Sequence, residues 1–149
     1  MKRLFEQHKV RKTVDLNGNW QFKIDPDNVG EKECWWTGLN GSETVIVPSC
    51  WNNELRLLNY EGKAWYQKEF ELDKSQFVLF EFGSVMTKAD IWIDNEWAFE
   101  HYGAFTEFKF IRFVEAGTHT ITVRADSTFD AQSFPQRYTD WFNYGGIAR

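Results

Sequence analysis

The chain has 149 residues, 42% hydrophobic and 18% aromatic, and its 17 basic and 22 acidic side chains give a net charge of −5. That length suits one domain with a sizeable core, and the composition is too apolar and too varied for disorder or low complexity. No basic run interleaves with aromatics and no apolar stretch approaches the ~18 residues that cross a bilayer, so neither nucleic acid nor a membrane is an expected partner.

Residues 1–13 read as an amino-terminal arm, with Lys2, Arg3, Lys9, Arg11 and Lys12 and little apolar content, and residues 14–149 as one β-domain. Met1 to Phe5 run into Glu6, His8 and Lys9 without the apolar core of a secretory signal; absent a removed leader, a cytoplasmic location is expected. Trp20, Phe22 and Ile24 then alternate with Gln21 and Lys23 until Asp25-Pro26-Asp27 turns the chain, and Thr44 to Val47 forms a second strand ended by Pro48. Between Tyr66 and Leu72, Tyr66, Phe70 and Leu72 share a face with Lys68, while Gln67, Glu69 and Glu71 point the other way, as in a half-buried strand.

Phe77 to Phe82 is almost continuously apolar, which predicts a central strand covered on both faces, closed by Gly83-Ser84. Ala89, Ile91 and Ile93 alternate with Asp90, Trp92 and Asp94, and Asp94-Asn95 supplies a tight turn into Glu96 to Phe99, predicting a hairpin. Phe108 to Phe113 and, after Gly117, Thr120 to Arg124 complete about eight strands, with no helical period and no internal repeat. Such a pattern predicts two packed antiparallel sheets, an all-β sandwich, without fixing the order of the strands.

Cys34 and Cys50 sit beside tryptophans without metal-ligand spacing and read as reduced packing residues. His8, His101 and His119 are too scattered for a metal cage or a catalytic triad, and Gly145-Gly146 follows no strand-to-helix pattern of a phosphate loop. No metal and no cofactor are expected.

The chain closes on Asp140-Trp141-Phe142-Asn143-Tyr144-Gly145-Gly146-Ile147-Ala148-Arg149. Paired glycines let backbone approach backbone or ligand, and the aromatics require burial, so this ending reads as a cut inside a larger protein. Earlier motifs are Leu16-Asn17-Gly18-Asn19-Trp20-Gln21-Phe22, Asp25-Pro26, Val47-Pro48-Ser49-Cys50-Trp51-Asn52, Tyr60-Glu61-Gly62-Lys63-Ala64-Trp65-Tyr66, Ala89-Asp90-Ile91-Trp92-Ile93, His101-Tyr102-Gly103 and Gly117 to Val123. In this order, and over residues 14 to 149, they resemble the amino-terminal sugar-binding domain of glycoside hydrolase family 2, the family of β-glucuronidases, β-galactosidases and β-mannosidases. The run Phe142 to Ile147 resembles the β-glucuronidase branch most. Ala104 and Glu107 depart from the family's glycine and proline in the loop after His101.

The resemblance implies a galactose-binding-like jelly roll, with immunoglobulin-like and catalytic barrel domains downstream in the same polypeptide as its partners. It also implies a β-glycoside as substrate of the complete enzyme, hydrolysed with retention by two glutamates in the barrel, so that no catalytic residue is expected in this segment and the isolated chain is expected to be inactive. A homo-oligomer of the longer protein stays open. In the family the acid before the terminal aromatic pair, here Asp140, hydrogen-bonds hydroxyls of the substrate sugar, and Asn143 and Tyr144 are further candidates for the same rim. A carboxylate suits that task because it accepts two directed, charge-assisted bonds. The plain alternative is an aspartate that stabilises a turn.

Eight tryptophans pose the same choice, since sugars stack on aromatic planes. Trp20, Trp65 and Trp92 fall in strand patterns and read as packed. Trp35, Trp36 and Trp51 fall in loops and cover the core or face a partner; Trp92, sharing a face with Asp90 and Asp94, is open to a polar or interdomain surface. The competing functions are a free-standing carbohydrate-binding module and a structural or oligomerising domain.

Overall fold

The computed structural model describes residues 12–131, 142 and 144–149, so nearly all of the amino-terminal arm, and Asp140 and Asn143, lie outside the described residues. The strands are β1 (Gly18–Asp25), β2 (Glu43–Val47), β3 (Lys63–Leu72), β4 (Gln76–Phe82), β5 (Val85–Met86), β6 (Lys88–Ile93), β7 (Glu96–Tyr102), β8 (Phe108–Val114), β9 (Gly117–Asp126) and β10 (Gly146–Ile147). Among the described residues the only helical pieces are single 3-10 turns at Trp35–Thr37, Trp51–Asn53 and Leu55–Leu57.

A six-stranded antiparallel sheet runs β2-β1-β3-β9-β6-β7, and the facing layer holds the antiparallel pairs β4-β8 and β5-β10. Together they form the antiparallel β-sandwich expected of a jelly roll. The alternation read from the sequence sets the inner face: Trp20, Phe22, Tyr66, Phe70, Ile91, Ile121 and Val123 point from the large sheet at Phe80, Phe82, Phe108 and Phe110 of the small one. Phe80 stacks on Phe110 at 4.9 Å and Phe82 on Phe108 at 5.1 Å between ring centroids. The β6-β7 hairpin turns as predicted: Asp94 and Asn95 take φ of 50° and 71°, the left-handed pair that a two-residue turn demands and that short polar side chains tolerate.

A second cluster lies on the opposite face of the large sheet. There the long connection between β1 and β2 folds back and seats Trp35, Trp36 and Leu39 over Trp65 and Trp92. Trp36 stacks on Trp92 at 5.4 Å with planes 3° apart, and Trp65 meets Trp92 at 5.2 Å. Trp92 is therefore covered from within the chain and is not an interdomain surface. The connection is pinned by Asp25, whose buried carboxylate accepts bonds from Val29 N at 2.8 Å, Gly30 N at 3.0 Å and Trp65 Nε1 at 3.1 Å.

One strand departs from its sequence reading. β4 pairs with β8, and its apolar run is buried on one face alone: Phe80 and Phe82 are in the core, whereas Phe77 and Leu79 are exposed. The other face has no cover among the described residues.

Candidate functional site

The terminal motif docks where two loops of the sandwich meet. β10 pairs antiparallel with β5, with Gly146 opposite Met86 and Ile147 opposite Val85. On its other side the segment binds the loop after β2: Ser49 N donates to Ile147 O at 2.8 Å and Trp51 N to Gly145 O at 3.0 Å. A β-carbon on Gly145 would overlap the Trp51 indole, and one on Gly146, which has φ of 132°, would stand 2.7 Å from Ser49 O. The glycine pair thus lets backbone pass against an aromatic ring and a carbonyl.

Asn52 organises this junction. Its buried amide nitrogen donates to Leu57 O at 3.0 Å and to Leu58 O and Tyr60 O at 3.2 Å, while Oδ1 accepts Gly145 N at 2.8 Å. Trp51 adds a bond from Nε1 to Tyr60 O at 3.2 Å and packs on Tyr60 at 5.8 Å. Tyr66 lies beneath, and its burial raises the phenol's pKa above the ordinary value. Nothing in local spacing singles out Asn52, because the amide it anchors is 93 residues away.

Around this junction an open depression of about 640 Å³ is lined by Cys50, Ser84, Met86, Phe105, Phe142 and Tyr144, with Arg149 at its edge. Of the three sequence-predicted contact residues, Tyr144 is described: it is exposed, its ring 5.1 Å from that of Phe142. Asp140 and Asn143 lie outside the described residues. Cys34 and Cys50 are both unpaired thiols. Among the described residues no group of three or more His, Cys, Asp or Glu side chains is arranged to hold a metal.

Sequence reasoning also missed the ion cluster beneath the tryptophans. Arg124 Nη2 donates to Asp90 Oδ2 at 2.6 Å, Arg124 Nη1 pairs with Glu31 Oε1 at 2.5 Å, and the guanidinium lies 5.6 Å from the Trp65 ring centre. Burial works to lower the Arg124 pKa, but the attraction of Asp90, reinforced by Glu31, outweighs it and the value is raised. The register places Arg124 opposite both Trp65 and Asp90, a pairing across strands that periodicity does not reveal.

The sandwich defines a class by its architecture, an antiparallel β-sandwich of the jelly-roll kind. No family model matches the chain. Its homologues are β-glucuronidases and β-galactosidases, and it corresponds to one domain of such enzymes, consistent with the amino-terminal domain of glycoside hydrolase family 2. The β-glucuronidase of Streptococcus agalactiae serotype V is 32% identical over 169 residues, covering 95% of this chain and 27% of that protein. A β-galactosidase of Thermoanaerobacterium thermosulfurigenes is 31% identical over 157 residues, covering 94% of this chain and 21% of that one. Among solved structures, a β-glucuronidase of an uncultured Clostridium species superposes with a TM-score of 0.84 at 27% identity, over 95% of this chain and 28% of that one. The chain therefore spans between about a fifth and somewhat over a quarter of the length of these proteins.

Proposed function

We propose that this chain is the accessory sugar-binding domain of a cytoplasmic retaining β-glycosidase of the β-glucuronidase or β-galactosidase kind, packing on a catalytic barrel and walling one side of its substrate pocket. One observation carries the reading: 95% of the chain aligns with 27% of a β-glucuronidase, so its counterpart works inside a larger enzyme. The depression beside Phe142 and Tyr144 supports the pocket role, because these two lining residues stand in the same terminal motif as Asp140.

In this proposal the two catalytic carboxyl groups, about 5 Å apart, belong to the barrel and need no cofactor. The domain supplies positioning. Asp140 accepts hydrogen bonds from two neighbouring hydroxyls of the terminal sugar, with Asn143 and Tyr144 on the same rim, and the junction at Asn52, Trp51 and Gly145 holds that rim in place. The isolated chain is then catalytically silent. Trp20, Trp35, Trp51, Trp65 and Trp92 are buried and offer no sugar platform, which leaves a free-standing carbohydrate-binding module to exposed aromatics such as Trp97, Phe105 and Tyr144.

The test joins this chain to the catalytic part of the Streptococcus agalactiae β-glucuronidase in place of that enzyme's matching segment. Hydrolysis of a chromogenic β-glucuronide is expected. Asp140→Ala in the joined enzyme is expected to lower kcat/KM roughly 100-fold or more, the cost of a lost charge-assisted contact to the reacting sugar. An unchanged kcat/KM would sink the role given to Asp140.

A further inference from the structure

Two asparagines of the chain precede a glycine, at Asn17-Gly18 and Asn40-Gly41. A glycine in that position has no β-carbon to keep its backbone nitrogen away from the preceding side-chain amide. The two steps share much of their surroundings. Asn17 and Asn40 are both exposed, and the main-chain oxygen of each accepts a hydrogen bond from a lysine, Lys68 Nζ at 3.2 Å and Lys23 Nζ at 2.9 Å. A cation on that oxygen draws electron density from the peptide and makes the glycine N–H more acidic, at both steps alike.

The backbone separates them. Gly18 opens β1 opposite Val47 of β2, Asn17 N is tied to Asp15 Oδ1 at 2.9 Å, and Lys68 also bonds Asn19 O at 2.9 Å, so the chain is held on both sides of this step. Asn40-Gly41 is instead the middle of a turn: Ser42 N donates to Leu39 O at 3.2 Å, and Gly41 takes φ of 71°, as a type II turn demands of its third residue. The backbone bonds of this turn leave the Gly41 N–H without an acceptor among the described residues, and a β-carbon built there meets nothing within 4 Å. The Asn40–Gly41 peptide can therefore rotate in solvent to bring Gly41 N against Asn40 Cγ, whereas the same rotation at Gly18 breaks the ladder of β1.

We propose that Asn40 is a site of spontaneous deamidation and isoaspartate formation. Gly41 N gives its proton to solvent base and bonds to Asn40 Cγ; the Cγ–Nδ2 bond breaks, and ammonia leaves from a five-membered imide. Water then adds to one imide carbonyl. Opening at Cγ restores the main chain and leaves aspartate, and opening at the main-chain carbonyl leaves isoaspartate, with the backbone running through the former side chain. One water is consumed, one ammonia is released, and nothing is oxidised or reduced. The product sets a new carboxylate in the turn bonded by Lys23, whose ammonium lies 3.7 Å from the Trp35 ring centre, within the connection that covers Trp65 and Trp92.

The proposal is independent of the pocket role given to the terminal motif. Its test incubates the 149-residue chain at mildly alkaline pH, folded and in urea, and follows both steps by peptide mapping, with the mass gain of an amide turned to an acid and isoaspartate-specific methylation as readouts. In the folded protein Asn40 is expected to convert at least about tenfold faster than Asn17, and in urea the two are expected to convert at comparable rates. Gly41→Ala, whose β-carbon hinders ring closure, is expected to slow Asn40 at least about tenfold in urea, where the turn no longer matters. An Asn40 that stays intact in the folded protein, or an Asn17 that keeps pace with it there, would overturn the proposal. So would a rate at Asn40 unchanged by Gly41→Ala, which would exclude the imide route.

Discussion

Asn52 Oδ1 accepts a hydrogen bond from Gly145 N at 2.8 Å, joining the loop after β2 to the terminal motif inside the protein. Three further bonds from the same amide hold the turn at Leu57 to Tyr60. A single buried side chain therefore couples the two segments that form the floor of the candidate site.

Asn52→Ala leaves the Gly145 amide and at least one of these carbonyls buried without a partner. A loss of about 3 kcal/mol is expected, seen as a fall in Tm of roughly 6–12 °C for a domain of this size. Gly145→Ala is expected to cost at least as much, since its methyl overlaps the Trp51 indole. Thermal unfolding followed by circular dichroism reads both, and a change within a degree for either would contradict the described junction.

The Arg124–Asp90 pair gives a sharper energetic test, because both side chains are 7% exposed. Arg124→Met strands the Asp90 carboxylate and is expected to cost about 3–5 kcal/mol, whereas Arg124→Met with Asp90→Leu is expected to recover most of that. Urea titration of the double-mutant cycle measures the coupling. Simple additivity of the two single losses would show that the pair is not interacting.

Alkaline pH has an expected sign. Burial pushes the Tyr60 phenol from 10.0 up to about 12, and burial raises Tyr66 as well. The folded protein holds these protons more tightly than the unfolded chain, so their contribution is whole below the unfolded value of 10.0; that of Tyr60 is lost as the pH climbs through about 12, and that of Tyr66 declines in the same direction. Denaturation midpoints are expected to fall over that window, less steeply in Tyr66→Phe. A midpoint independent of pH there would contradict the burial of these phenols.

The parts of the fold that were legible in the sequence are those governed by local period and local turn chemistry. Trp20, Phe22 and Ile24 define β1, Ile91 and Ile93 lie within β6, and Asp94-Asn95 turns the hairpin. The two-residue strands β5 and β10 were not, since two residues carry no period. Ala64 and Trp65, which lie on opposite faces of β3, are both fully buried, because the chain around Trp35 and Trp36 returns over Trp65. In the candidate site the glycine pair could be read from its steric meaning, while Asn52 and Arg124 could not, their partners being supplied by distant strands and loops.

The most direct test of the central claim, an accessory domain that acts only beside its catalytic partner, is a titration of the isolated chain. Glucuronic acid, galactose, mannose and short oligosaccharides are followed by NMR or calorimetry, with a parallel assay on chromogenic β-glycosides. The account predicts neither saturable binding nor hydrolysis. Saturable binding would make the domain an autonomous carbohydrate-binding module, and hydrolysis would contradict the assignment of catalysis to another domain.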